Sequence, residues 1–119
     1  HLVCSSDTVD CYNSKVIQSS MGSIARVKCV YMSNLHEYLK SLNKPIFGTS
    51  LEGLSVYEKK LPLKATYVFG NESKGISPSI NKILNQKLTI PKQSSTNDVN
   101  SLNVATAAAI FLSEIFRKT

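Results

Sequence analysis

Apolar residues along this chain come in short blocks, each closed by a polar or glycine-bearing turn. Residues 2–4 read as a strand, and 5–14, with Asp7, Asp10 and Asn13, as a loop. Val16, Ile17 and Met21 fall at helical offsets within 15–23, and β-branched residues around Val27 and Val30 predict a strand over 25–31. Asn34 is placed to cap a helix whose Leu35, Tyr38, Leu39 and Leu42 form one stripe. A brief strand at 45–48 runs into a loop at 49–53. Another strand covers 65–69, a short helix 78–84, a strand 88–90 and a polar loop 91–100. The last helix begins near Ser101 and runs to the C-terminus.

Strand and helix alternate throughout, which predicts an α/β fold with a mostly parallel sheet flanked by helices. In such sheets ligands bind at the loops after the carboxyl ends of strands. Three loops qualify: 49–53, 70–75 and 91–100.

The last helix carries two apolar lines. Leu102, Ala105, Ala109, Leu112 and Phe116 form one, and Val104, Ala108, Phe111 and Ile115 the other. Two such faces predict a helix buried on most sides. Asn103 lies in its first turn, beside a cap expected at Asn100 or Ser101. It either caps and packs or points its amide into whatever the preceding loop encloses.

The chain has 119 residues, 42% of them hydrophobic and 18% charged, the balance of a folded globular domain rather than a disordered segment. Its longest apolar run, 104–112, is far short of the roughly 20 residues that span a bilayer. No basic stretch followed by an apolar core opens the sequence, so no secretory signal is expected there. The start reads instead as a strand entered in mid-course, as in a piece of a longer protein. Cys4, Cys11 and Cys29 make an odd count without a CxxC pair, which points to reduced thiols in a cytoplasmic protein and to no metal site. A net charge of +6 favours a polyanionic partner such as nucleic acid.

The stretch "YVFGNESKGIS" is the most distinctive. Gly70 and Gly75 have the GxxxxG spacing of a phosphate-binding loop, but Ile76 and Ser77 follow where that motif needs Lys and Ser/Thr. A nucleotide-binding enzyme is therefore disfavoured. An ordinary strand-to-helix turn explains the glycines, yet Asn71, Glu72 and Lys74 within it are unusually polar for a turn alone.

"FGTSLEG", then "YVFGNESKGIS", then "LTIPKQSSTNDVNSLNVATAAAIFLSEIFR", in that order, resemble the SpoU-type (TrmH-like) branch of the SPOUT methyltransferases. "DCYNSKVIQSSMGSIARV" resembles the stretch before that family's middle strand, so the likeness runs from about Leu2 to Arg117. The resemblance implies one catalytic domain over 1–119 with a deep trefoil knot near the C-terminus, an S-adenosylmethionine cofactor, and methylation of a ribose 2′-hydroxyl in tRNA or rRNA. It implies a cofactor pocket lined by Thr49, Ser50, Leu51, Gly70, Asn71, Gly75, Ile90 and Leu102, where glycines allow close backbone approach to the ligand. Glu72, Ser101 and Asn103 become the polar residues near the reacting ribose, and Lys15, Lys74 and Arg117 the candidates for RNA phosphates. Family members are usually homodimers. The family's first motif, which supplies an arginine, would lie before Leu2, and neither His1 nor His36 replaces it as a base. The chain is thus expected to be the cofactor-binding part of a longer catalytic domain. A SPOUT-like module that binds RNA or cofactor without turnover is the alternative.

Overall fold

Two clusters of contacts divide the chain, His1–Ser41 and Leu42–Thr119. The computed structural model describes residues 1–92 and 101–117.

In the first unit, β1 (Leu2–Ser5) and β2 (Cys29–Met32) pair in parallel, with Leu2 opposite Cys29 and Ser5 opposite Met32. The crossover between them holds α1 (Ser14–Ser19), shorter than expected. Asn13 caps it, its Oδ1 accepting the Lys15 N–H at 3.0 Å. The Tyr31 hydroxyl ties the crossover to β2: it accepts from the Cys11 N–H at 2.8 Å and donates to the Val9 carbonyl at 2.7 Å. The expected strand over 25–31 starts only at Cys29, because residues 23–25 close a 3₁₀ turn first. Asn34 precedes α2 (Leu35–Ser41) and accepts the Glu37 N–H at 3.3 Å, the cap foreseen for it. All three cysteines are free thiols.

The second unit contains a parallel sheet of order β4-β3-β5: β3 is Ile46–Ser55, β4 Thr66–Val68 and β5 Gln86–Thr89. Ile46 pairs with Thr66 on one side, and Phe47 with Gln86 on the other. Residues 49–53 were expected to be a loop after a brief strand. They belong to β3, but its register against β5 shifts there: Thr49 and Leu54 both face Leu88, so 50–53 swing out as a long bulge. α3 (Pro78–Asn81) has Pro78 at its start and ends earlier than the expected residue 84.

α4 (Val104–Phe116) covers one face of this sheet. Phe47, Val56, Leu61, Leu88, Phe111 and Ile115 form the buried cluster, each contributing about 1.5–3 kcal/mol by leaving water. Phe111 meets Phe69 and Tyr67 edge-on at 5.4 and 6.3 Å between ring centres, while Tyr67 stacks on Phe47 at 5.5 Å. The helix is not buried on most sides, as its two apolar lines had suggested. Only the line with Phe111 and Ile115 meets the core, and Leu112 and Phe116 on the other stay 53% and 67% exposed.

Candidate active site

Beside the β3 bulge and at the carboxyl ends of β4 and β5 lies a cleft of about 670 Å³, within the range typical of small-molecule sites. Its walls come from the β3 bulge, the loop after β4, the residues after β5 and the start of α4.

The bulge is pinned to β5 from both ends. Gly53 has φ +152°, and a Cβ there would sit 2.6 Å from the Lys87 carbonyl oxygen, so only glycine fits. The Thr89 hydroxyl donates to the Leu51 carbonyl at 3.2 Å. These two contacts hold Thr49, Ser50 and Leu51 at the cleft, where the resemblance had put them.

The second wall is a self-contained loop. Asn71 and Gly75 form an antiparallel bridge, and the Asn71 side-chain oxygen accepts from Ser73 N–H, Ser73 Oγ–H and Lys74 N–H at 2.9, 2.8 and 3.1 Å. Glu72 stands at the tip, exposed and lining the cleft together with Lys74. Gly70 lines the cleft too, but its bareness serves the loop: a Cβ there would meet the Gly75 carbonyl carbon at 2.4 Å and the Ile76 nitrogen at 2.5 Å. Room for the loop's own return is thus a reason for glycine at position 70 beside the ligand contact that the resemblance implies. The Asn81 amide donates to the Ile76 carbonyl at 2.9 Å and anchors the loop's exit.

Ile90, Ser101 and Leu102 complete the third wall. Of the 91–100 loop, residues 93–100 fall outside the described residues, and with them Asn100 as a possible cap. The helix does not begin at Ser101. Asn103 is its cap, extended at φ −52°, ψ 138°, with Oδ1 accepting from Ala105 and Thr106 N–H at 2.9 and 3.4 Å. Asn103 is not among the cleft's lining residues. Its neighbours Ser101 and Leu102 are, and the cap sets where they stand.

Phe69 and Phe111 form an aromatic floor that sequence reasoning missed. The signal lay in Phe69 directly preceding Gly70 and in Phe111 on an apolar helix line, both of which read as plain core. The rim is mixed in charge, with Glu52 and Glu72 beside Lys74, Lys87 and Lys92. Of the three candidate RNA contacts only Lys74 lies here. Lys15 is on α1 of the first unit, and the Arg117 Nε–H donates to Glu114 Oε2 at 2.9 Å past the end of α4.

A family model described as the SpoU rRNA Methylase family matches residues 1–113. Among solved structures, a TrmH-family protein of Porphyromonas gingivalis is 37% identical with a TM-score of 0.84, over 97% of this chain and 47% of that one. The SpoU methyltransferase AviRb of Streptomyces viridochromogenes, solved with AdoMet, is 26% identical with a TM-score of 0.77, over 96% and 47%. The 23S rRNA (guanosine(2553)-2′-O)-methyltransferase RlmP of Bacillus subtilis is 29% identical over 116 residues, 93% of this chain and 45% of that protein. The chain thus spans slightly under half the length of these relatives.

Proposed function

Because the chain belongs to the SpoU rRNA Methylase family, we propose that its cleft binds S-adenosylmethionine and that the protein carrying it methylates a ribose 2′-hydroxyl of RNA. The observation that carries this reading is the meeting, at one cleft with an aromatic and aliphatic floor and a charged rim, of the β3 bulge, the loop after β4 and the described residues on either side of 93–100. That division suits a ligand with a flat base at one end and a charged amino acid at the other. The names of relatives support the reaction: RlmP is a 2′-O-methyltransferase of 23S rRNA, and others are tRNA/rRNA methyltransferases.

When bound, S-adenosylmethionine supplies a methyl group on a positively charged sulfur, and its transfer to oxygen calls for no metal. The chain's own residues then have three tasks. Thr49, Ser50, Leu51, Ile90 and Leu102 enclose the cofactor, with Phe69 and Phe111 below, and keep water out. Asn71 makes the second wall rigid from within the loop. Glu72 and Ser101 hold the ribose hydroxyl in line for attack, Glu72 accepting a hydrogen bond from it. Asn103 acts through the cap, as a positioning residue for Ser101 and Leu102.

The same loop argues against a nucleotide triphosphate. The N–H groups of Asn71, Ser73, Lys74 and Gly75 are all engaged inside the loop, so they cannot cradle phosphates as a phosphate-binding loop does. The wider reading includes the family's trefoil knot near the C-terminus, a cytoplasmic protein with reduced thiols, and a homodimer. The exposed stripe of Ala105, Ala109, Leu112 and Phe116 on α4 is apolar surface that a second copy would cover. The test is calorimetry with S-adenosylmethionine and with ATP. Saturable binding of the first alone is expected; binding of ATP alone would overturn the assignment.

A further inference from the structure

The other end of the same sheet gathers three lysines, two of them just before β3 and β4 and a third held against the first residue of β5. Because β4, β3 and β5 are parallel, all three begin at one edge, opposite their carboxyl ends. Lys44 lies two residues before Ile46, and Lys64 two residues before Thr66, the residue paired with Ile46. The Thr66 N–H donates to the Pro45 carbonyl at 2.9 Å, so the two lysine-bearing segments enter the sheet side by side. Adjacent strands are about 4.8 Å apart, which leaves the two exposed side chains as near neighbours. On the other flank of β3, Lys59 Nζ donates to Gln86 Oε1 at 2.7 Å, on the first residue of β5. Its ammonium also rests 5.7 Å from the centre of the Phe47 ring.

None of these three lysines is in an ion pair among the described residues. The cleft rim, by contrast, alternates both signs. Like charges gathered on one edge without counter-charges repel one another, and a polyanion lying across them relieves that repulsion. We infer that Lys44, Lys59 and Lys64 form a second RNA-contacting surface at the amino-terminal edge of the sheet, gripping phosphates away from the reacting nucleotide. Lys44 to Thr49 spans about 17 Å at the rise of a strand, which is about five nucleotides at ~3.4 Å each, so one RNA can reach both ends. The inference rests on the proposed RNA substrate, and its test separates the two.

The experiment measures binding of labelled bulk tRNA to the full-length protein containing this chain, across a series of salt concentrations, for wild type and for Lys44→Glu/Lys64→Glu. Lys59 is left in place because it packs on Phe47. Loss of about tenfold or more in affinity is expected, with S-adenosylmethionine binding unchanged. Lys44→Gln/Lys64→Gln removes charge without reversing it and decides the matter should the Glu variant fold poorly. Its slope of log affinity against log salt should be shallower by about 1.5, from two lost contacts at ~0.7–0.9 each. A wild type that binds with a steep salt slope, matched by an unchanged slope in the Gln variant, overturns the surface and leaves the RNA reading standing. A wild type with no salt-dependent tRNA binding overturns both.

Discussion

Asn71 and Gly75 exchange both of their backbone hydrogen bonds, at 3.1 and 2.8 Å, and so close the most distinctive loop of the chain upon itself. The loop is a prebuilt wall rather than a flexible cradle. Its geometry depends on Gly70, whose missing side chain leaves the space through which the backbone of Gly75 and Ile76 returns.

Gly70→Ala should therefore damage fold and binding together. A Cβ cannot stay 2.4 Å from the Gly75 carbonyl carbon, and opening the loop costs about 1–3 kcal/mol, the usual range for overpacking. Thermal denaturation paired with S-adenosylmethionine calorimetry checks this. An unchanged melting temperature with binding abolished would mean that the ligand itself occupies that space.

Asn103→Ala removes the acceptor for Ala105 and Thr106 N–H and should cost about 0.5–2 kcal/mol of stability. Because the cap sets where Ser101 and Leu102 stand, cofactor affinity should weaken as well. Asn103→Ser keeps an oxygen acceptor and should restore both. A stable Asn103→Ser enzyme whose methyl-transfer rate has fallen tenfold or more would instead give the carboxamide a direct part in handling the ribose.

Tyr67 donates its hydroxyl to the Pro62 carbonyl at 2.8 Å, and burial raises its pKa above the ordinary tyrosine value. The folded state thus holds this proton more tightly than the unfolded chain. The resulting stability is present in full below the unfolded pKa of about 10 and is lost as pH rises through the folded value. Tyr67→Phe should cost about 0.5–1.5 kcal/mol near neutrality through the lost hydrogen bond. Denaturant titrations at pH 8 and above pH 10 should show the gap between wild type and variant narrowing at the higher pH. An equal gap at both would remove Tyr67 from the alkaline response.

The order of elements and the segments around 49–53 and 70–75 that line the cleft could be read from the chain, because glycine and polar clusters punctuate apolar blocks of strand and helix length. What escaped depended on partners distant in sequence. That 50–53 is a bulge rather than a free loop follows from Gly53 lying against Lys87 and Thr89 reaching Leu51. Neither contact is visible in "FGTSLEG". Among Asn100, Ser101 and Asn103, three good caps in four residues, composition could not choose; the extended backbone at Asn103 does. Leu112 and Phe116 match Phe111 and Ile115 in hydrophobicity, so periodicity could not tell which line meets the core. Phe69 and Phe111 read as packing residues, and they are, while also flooring the cleft.

The central claim is methyl transfer to a ribose hydroxyl, and single-turnover transfer from methyl-labelled S-adenosylmethionine tests it most directly. The full-length protein containing this chain would be mixed with bulk tRNA and rRNA, and the products digested to nucleosides. The account predicts label in 2′-O-methylnucleosides, and at least a tenfold slower transfer, about 1.4 kcal/mol, for Glu72→Ala with cofactor affinity retained. Label on a base, or tight cofactor binding with no label transferred to either RNA pool, would contradict it.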